Sequence, residues 1–144
     1  MYYLRKTLPS KMVGINRIML GIMFIMTGFM KLALTNYGQA WSIQLTEAKF
    51  PFYNMLYWGI PILEICIGII ILIGYYARIG ALFVIPIMLV AIYVHVTVFN
   101  PGAFPAQPQL PIIPITTLLM ASVLLVQGSG SWSIDLKLSS RQLK

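Results

Sequence analysis

Three ionisable side chains within long apolar stretches are the residues of this sequence best suited to chemistry. Glu64 lies in the middle of one apolar run, whereas Lys31 and His95 each lie near the end of another. A carboxylate, an ammonium group and an imidazole can together bind a polar ligand and transfer protons. A charged side chain at the centre of a bilayer costs at least ~2.5 kcal/mol, so its presence there predicts a functional site.

The composition places these residues in an integral membrane protein. The chain has 144 residues, of which 59% are hydrophobic and 9% are charged, and its mean hydropathy is +0.85. Soluble domains carry roughly 25% charged residues. The long apolar runs approach the ~20 residues that a helix needs to cross a bilayer. We expect a single membrane domain over residues 1–144, with spans at about 13–34, 54–75, 79–99 and 111–127.

The distribution of basic residues predicts the orientation of the spans. The net charge is +7, but the cations form no cluster with interleaved aromatic residues, which excludes nucleic acid as a partner. The two tails and the central turn contain most of them, namely Arg5, Lys6, Lys11, Arg78, Lys137, Arg141 and Lys144. The opposite loops contain Lys49, with Lys31 at a helix end. By the positive-inside rule we expect an all-α four-helix bundle in the cell inner (cytoplasmic) membrane, multi-pass, N-in and C-in, with short basic cytosolic tails.

Two segments between the spans have their own character. Residues 35–53 mix aromatic and polar groups, including Trp41, and predict an amphipathic or re-entrant segment that caps the outer end of the bundle. Residues 100–109 contain three prolines and a glycine, which exclude a helix. Pro61 falls inside the second span, where a neighbouring group must satisfy the carbonyl that a proline leaves free.

The predicted orientation brings the three ionisable residues into the outer half of the bundle. A Lys31–Glu64 pair would lower the cost of burying either charge, and His95 would extend the pair or exchange a proton with it. Alternatively, Glu64 only fixes helix packing and His95 bonds a loop carbonyl. Tyr57 and Trp58 are placed to stack on a bound ring.

Arg17 shares a broad side of the first span with Lys31, because the two residues are fourteen positions apart. Gly14, Gly21 and Gly28 repeat on that side every seven residues. Small residues allow helices in lipid to approach closely, so this side should face the bundle and make Arg17 a candidate ligand-binding residue. The alternative is that both cations extend to opposite interfaces of the bilayer.

Several kinds of chemistry are disfavoured by simple counting. The single cysteine, Cys66, excludes an internal disulfide and a CxxC redox pair. His95 is the only histidine and the methionines are spread over apolar faces, so neither a metal nor a haem is indicated. A Ser/His/Asp set would need Asp135 on the side of the membrane opposite His95. We therefore expect a subunit or partner of an oxidoreductase rather than an enzyme that acts alone.

The order and spacing of several short motifs resemble the DoxX family over nearly the whole chain. These motifs are Arg17-Ile-Met-Leu-Gly21, Gly28-Phe-Met-Lys31-Leu32, Glu64 with Gly68, Gly74-Tyr-Tyr-Ala-Arg78 and Gly128-Ser-Gly-Ser-Trp132-Ser-Ile-Asp135. The resemblance implies a small four-helix membrane protein of bacteria or archaea. It also implies relatives such as the membrane subunit of thiosulfate:quinone oxidoreductase, with redox enzymes as partners. Lys31, Glu64 and Arg78 match recurrent polar positions of that family.

Two functions from different classes follow. The first is a quinone-linked redox subunit, in which Lys31, Glu64 and His95 line a pocket for a quinone headgroup and a partner protein delivers electrons. The second is a non-catalytic membrane scaffold that assembles a redox enzyme. A small transporter is a third reading with less support. Four short helices enclose little volume, so we expect a homodimer or a docked redox partner besides the lipid membrane.

Overall fold

The computed structural model describes residues 7–97 and 111–141, and within these ranges all regular secondary structure is helical. The helices are α1 (Lys11–Ala33), α2 (Thr35–Glu47), α3 (Tyr53–Ile73), α4 (Ala77–Thr97), α5 (Ile112–Gln127) and α6 (Ile134–Arg141). Among these residues, α1, α3 and α4 are long and apolar enough to cross a membrane, and α5 is apolar but shorter. Each of the four apolar helices begins within two residues of its expected start, and α1, α3 and α5 also end within two residues of their expected ends. The four-span topology and its orientation remain predictions.

The most extensive helix contact joins α1 to α3, and glycines make it possible. A methyl group on Gly21 would lie 2.9 Å from the carbonyl oxygen of Gly68, and one on Gly28 would lie 2.5 Å from that of Pro61. On Gly14 it would lie 2.8 Å from the carbonyl oxygen of Ser131. The prediction that the glycine stripe faces the bundle is therefore confirmed.

The apolar core lies between α1, α3, α4 and α5. Leu20, Ile71, Val84 and Leu124 contribute one fully buried side chain from each of these helices. Many other large apolar side chains on the same helices remain exposed, as they do on helices that contact lipid. α4 packs mainly on α5, so the core consists of two helix pairs, α1 with α3 and α4 with α5.

Two segments differ from a simple four-helix expectation. The amphipathic segment after α1 forms the regular helix α2, which packs against α1 and α3. The chain after Gly128, expected to be a basic tail, forms α6. The Ser133 hydroxyl begins this helix by accepting a hydrogen bond from the Leu136 amide at 3.1 Å.

Several predicted features lie outside the described residues. These are Arg5 and Lys6 of the N-terminal tail, Lys144 at the C-terminus, the segment 100–109 and the expected last residues of the third span.

Candidate functional site

The predicted pair of Lys31 and Glu64 is present where α1 crosses α3. The Lys31 ammonium nitrogen lies 2.6 Å from Oε1 of Glu64 and 2.8 Å from Oε2. The Glu64 side chain is 3% exposed and that of Lys31 is 20% exposed. Gly28 allows this arrangement, because a side chain there would press on the Pro61 carbonyl and on Cβ of Glu64. The acid is thus buried beneath a cation that reaches the surface of the protein.

Trp41 of α2 is the third member of the site, and Pro61 explains its position. A proline in a helix leaves the carbonyl four residues earlier without its usual partner, and for Pro61 this is the carbonyl of Tyr57. The Trp41 indole N–H donates to that carbonyl at 3.2 Å. The fixed indole ring then lies 4.6 Å from the Lys31 ammonium group, within the range of a cation–π interaction. The prediction that a neighbouring group bonds the carbonyl freed by Pro61 is therefore confirmed.

A pocket of about 250 Å³ opens beside the ammonium group. Its wall comes from the end of α1, from α2 and from α3, and contains Lys31, Leu32, Ala33, Leu34, Thr35, Gly38, Gln39, Ser42 and Tyr57. Ligand pockets usually measure roughly 300–1,000 Å³, so this space suits a single small ring or headgroup.

An aromatic row borders the pocket along the first turns of α3. The rings of Tyr53 and Tyr57 stack with centroids 5.7 Å apart, and Trp58 meets Tyr57 edge to face at 5.2 Å. The Tyr53 hydroxyl lies 2.7 Å from Oγ of Ser42, which ties α2 to this row. Tyr57 therefore faces the pocket, whereas the Trp58 side chain is 57% exposed and is not one of the residues that line the pocket.

The remaining predicted residues have different positions. His95 is half-buried in the last turn of α4, and its membership of the site stays a prediction. Arg17 lies fourteen residues before Lys31 on α1, about 21 Å away at the rise of an α-helix. The structure therefore does not bring Arg17 to the Lys31–Glu64 pair.

Arg17 instead forms the centre of a second polar cluster at the opposite end of α1. Its side chain is 1% exposed. Nη1 donates to the carbonyl of Ile71 at 2.9 Å, and Nε donates to that of Ser129 at 3.0 Å. The other acceptors are the carbonyls of Leu72, Ser131 and Trp132. A cation is favourable at the end of α3, where unpaired carbonyls carry partial negative charge.

Asp135 completes this second cluster. It is fully buried, and its Oδ1 and Oδ2 accept from the backbone amides of Tyr76 and Ala77 at 2.9 and 3.1 Å. The Ser129 hydroxyl donates to Oδ2 at 2.6 Å, so Ser129 links Asp135 to Arg17. A carboxylate at the first residue of α4 stabilises the helix by capping its free amides.

The two clusters have different chemical capacities. Lysine has three N–H donors, and the Lys31 nitrogen lies within hydrogen-bond distance of both Glu64 oxygens, so the carboxylate uses two of the three N–H groups. The second cluster joins charged side chains to backbone groups, an arrangement that fixes structure. Among the described residues, no three His, Cys, Asp or Glu side chains are grouped to bind a metal ion.

Comparison with known proteins adds one finding. A family model described as DoxX matches residues 12–98, which is more than half of the chain and covers all of α1 through α4 except the first residue of α1. No curated protein and no solved structure matches the chain. The matched stretch contains both members of the Lys31–Glu64 pair and the Trp41 that supports it. This chain belongs to the DoxX family.

Proposed function

We propose that this protein is the membrane subunit of a quinone-linked redox system and that its quinone headgroup site is the pocket at Lys31. Membership of the DoxX family suggests a membrane protein associated with redox and quinone systems. The observation that carries the proposal is the buried Glu64 carboxylate beneath a Lys31 ammonium group that borders a pocket whose wall includes Tyr57. Ionisable residues within membrane helices are rare unless they bind or move something.

The residues around the pocket fit a quinone headgroup by the chemistry of their donors. A bound quinone supplies a ring that accepts two electrons and two protons. Lys31 donates its remaining N–H to a carbonyl oxygen of the ring, and Glu64 stabilises the ammonium group between turnovers. Tyr57 provides the aromatic surface for stacking, and Trp58 supports the Tyr57 ring edge to face. Electrons come from a partner protein with its own redox centre.

In this proposal Lys31 and Glu64 also take part in supplying protons to the bound ring. Lys31 would transfer one of the two protons to the oxygen that it contacts, and water would supply the proton of the other oxygen. Glu64 lowers the cost of the charge that returns when the amine is reprotonated. His95 is the proposed proton donor and acceptor for the pair, because a neutral imidazole has one N–H donor and one acceptor nitrogen. With both termini cytosolic, as the basic residues predict, this site lies in the outer half of the membrane.

A non-catalytic scaffold is the second candidate, and the pair itself is its support. The Lys31–Glu64 contact also fastens α1 to α3, because both carboxylate oxygens are bonded. If this is its whole role, Glu64→Gln will lower the amount of folded protein and the yield of any partner complex. Turnover per assembled complex will then be unchanged.

The deciding experiment measures quinone in the purified protein. We expect detergent-extracted protein to contain quinone that organic extraction and chromatography detect, and to bind added decylubiquinone. Glu64→Gln should weaken decylubiquinone binding at least about tenfold, because Lys31 loses the charge that positions it. Glu47→Gln makes the same chemical change at an exposed position and should bind as the native protein does.

Two outcomes would contradict the proposal. One is native protein that neither contains quinone nor binds decylubiquinone. The other is a Glu64→Gln variant that binds decylubiquinone normally while its abundance falls, which would support the scaffold.

A further inference from the structure

We propose that a groove along α6 binds the phosphate headgroup of an anionic phospholipid. The groove encloses about 490 Å³ and is lined by Trp132, Ser133, Ile134, Leu136, Lys137 and Ser140. It lies at the Arg17 end of α1, so it is separate from the Lys31 pocket and does not depend on the quinone proposal. None of the observations above assigns a role to it.

The backbone at Trp132 displays an aromatic ring at the edge of the groove. Trp132 has φ +57°, in the left-handed region that bulky residues rarely adopt. Arg17 supports this conformation by donating to the Trp132 carbonyl at 3.1 Å. The Trp132 side chain nevertheless remains 63% exposed. Strained backbone that is held in place in this way occurs at binding sites, and tryptophan concentrates at membrane–water interfaces.

Lys137 is the one charged side chain among the residues that line the groove, and the acidic residues of this chain do not offset it. The sequence has three acidic residues against ten basic ones. Asp135 is buried against the start of α4, and Glu64 is buried under Lys31. Glu47 ends α2, the helix that follows the far end of α1. Lys137 is exposed in the groove, so its charge meets no exposed carboxylate on α6 and favours an anion.

A phospholipid fits the groove better than a free anion because the wall is amphipathic. Lys137 supplies the cation for a phosphate, while Trp132 and Leu136 supply apolar surface for the glycerol and the first carbons of an acyl chain. The neighbouring α1 also exposes apolar side chains near this end, among them Met12, which is 77% exposed. The cationic and apolar parts of the groove are thus neighbours, as are the headgroup and the acyl chain of a phospholipid at the membrane interface.

The test compares lipid binding by the purified full chain. Native mass spectrometry of the protein in a neutral detergent would follow titration with phosphatidylglycerol and, separately, with phosphatidylcholine. We expect tighter binding of phosphatidylglycerol. Lys137→Gln should lower its affinity about fivefold, the effect of one cation near an anionic surface. Lys137→Arg should keep the affinity, and Lys49→Gln, an equal charge change in the loop between α2 and α3, should leave it unaltered.

A second variant tests the apolar wall of the groove. Trp132→Leu should weaken binding of both lipids, since the ring contacts parts that they share. Unchanged phosphatidylglycerol affinity in Lys137→Gln would overturn the proposal. Displacement of the lipid by an equal concentration of inorganic phosphate would also overturn it, by showing a site for free anions. The proposal would also be overturned by a Lys137→Gln variant that still binds lipid but no longer retains a protein that co-purifies with the native chain.

Discussion

The two ends of α1 each contain a basic residue that bonds other segments, but the two residues have different roles. At one end, Arg17 is 1% exposed and donates to five backbone carbonyl oxygens from α3 and the segment before α6. At the other end, Lys31 is 20% exposed and bonds a single carboxylate beside a tryptophan ring. The Arg17 guanidinium group donates to neutral backbone acceptors. The Lys31 ammonium group has one N–H that Glu64 does not use, and it faces a pocket.

This difference separates a structural cluster from a chemical one. The acceptors of Arg17 are backbone carbonyls, which do not exchange protons at physiological pH. The Asp135 carboxylate of the same cluster is fully buried and bonded to two backbone amides and the Ser129 hydroxyl, so this cluster joins segments rather than serving a ligand. A carboxylate and an amine can exchange protons when a ligand changes their surroundings. The comparison predicts that variants at the Arg17 end will chiefly lose stability, and variants at the Lys31 end will chiefly lose binding.

The largest expected effect is on stability at the Arg17 end. Arg17→Met should lower the free energy of unfolding by about 4 kcal/mol, because buried carbonyls lose charged donors. Thermal unfolding in detergent, followed by circular dichroism, would measure it. Arg17→Lys retains the charge but not the planar set of donors, so its free energy of unfolding should lie between that of the native protein and that of Arg17→Met. Lys11→Met, an exposed change on the same helix, serves as control. Equal stability of Arg17→Met and Lys11→Met would remove the contrast between the ends.

A smaller loss of stability is expected at the Lys31 end. Glu64→Gln should cost about 2 kcal/mol, because the Lys31 ammonium group loses its charged partner but can extend toward solvent. Adding Lys31→Met to this variant should recover part of the loss, since no unpaired charge then remains. The double variant should still fail to bind decylubiquinone. If Glu64→Gln destabilised the protein more than Arg17→Met, the assignment of roles would be reversed.

The closeness of α1 to α3 under the pair can be tested with a single methyl group. Gly28→Ala should cost about 1.5 kcal/mol, because its Cβ would lie 2.5 Å from the Pro61 carbonyl oxygen and the helices must separate. It should also weaken decylubiquinone binding by moving Lys31 relative to Glu64. Gly59→Ala is the matched control, since nothing lies within 4 Å of a Cβ there. Similar unfolding curves for the two variants would contradict the proposed close contact.

The smallest expected effect concerns the tryptophan that supports the pair. Trp41→Phe should cost about 1 kcal/mol, because the Tyr57 carbonyl freed by Pro61 loses the indole N–H. Decylubiquinone affinity should fall only slightly, since phenylalanine keeps a ring near Lys31. Unfolding and titration of the same preparation would separate the two effects. A loss of binding as large as that of Glu64→Gln would place Trp41 in direct contact with the ligand.

The sequence predicted the long helices and one contact of the site well. Apolar runs and glycine spacing depend on local composition, and an acid and a cation in facing apolar runs have few other partners than each other. Trp41 was missed as a site residue because its bond depends on a proline twenty positions later in the chain. The sequence did contain an indication of this bond, because Pro61 in a helix leaves the Tyr57 carbonyl in need of another donor.

The Arg17 cluster could not be predicted in the same way. Its acceptors are backbone carbonyls more than fifty positions away along the chain, and every residue type carries a carbonyl. α6 was also missed, although Ser133 followed by Asp135 is a recognisable signal for the start of a helix. The glycines and serines before it predict a loop, which they do form.

The cap that Asp135 places on α4 has a consequence for biosynthesis. The amides of Tyr76 and Ala77 emerge from the ribosome 59 and 58 residues before the carboxylate that they bind. Until Asp135 has been made, these two amides at the start of α4 lack their acceptor. A chain that terminates before residue 135 is therefore left with an unfinished turn, which quality-control proteases can recognise.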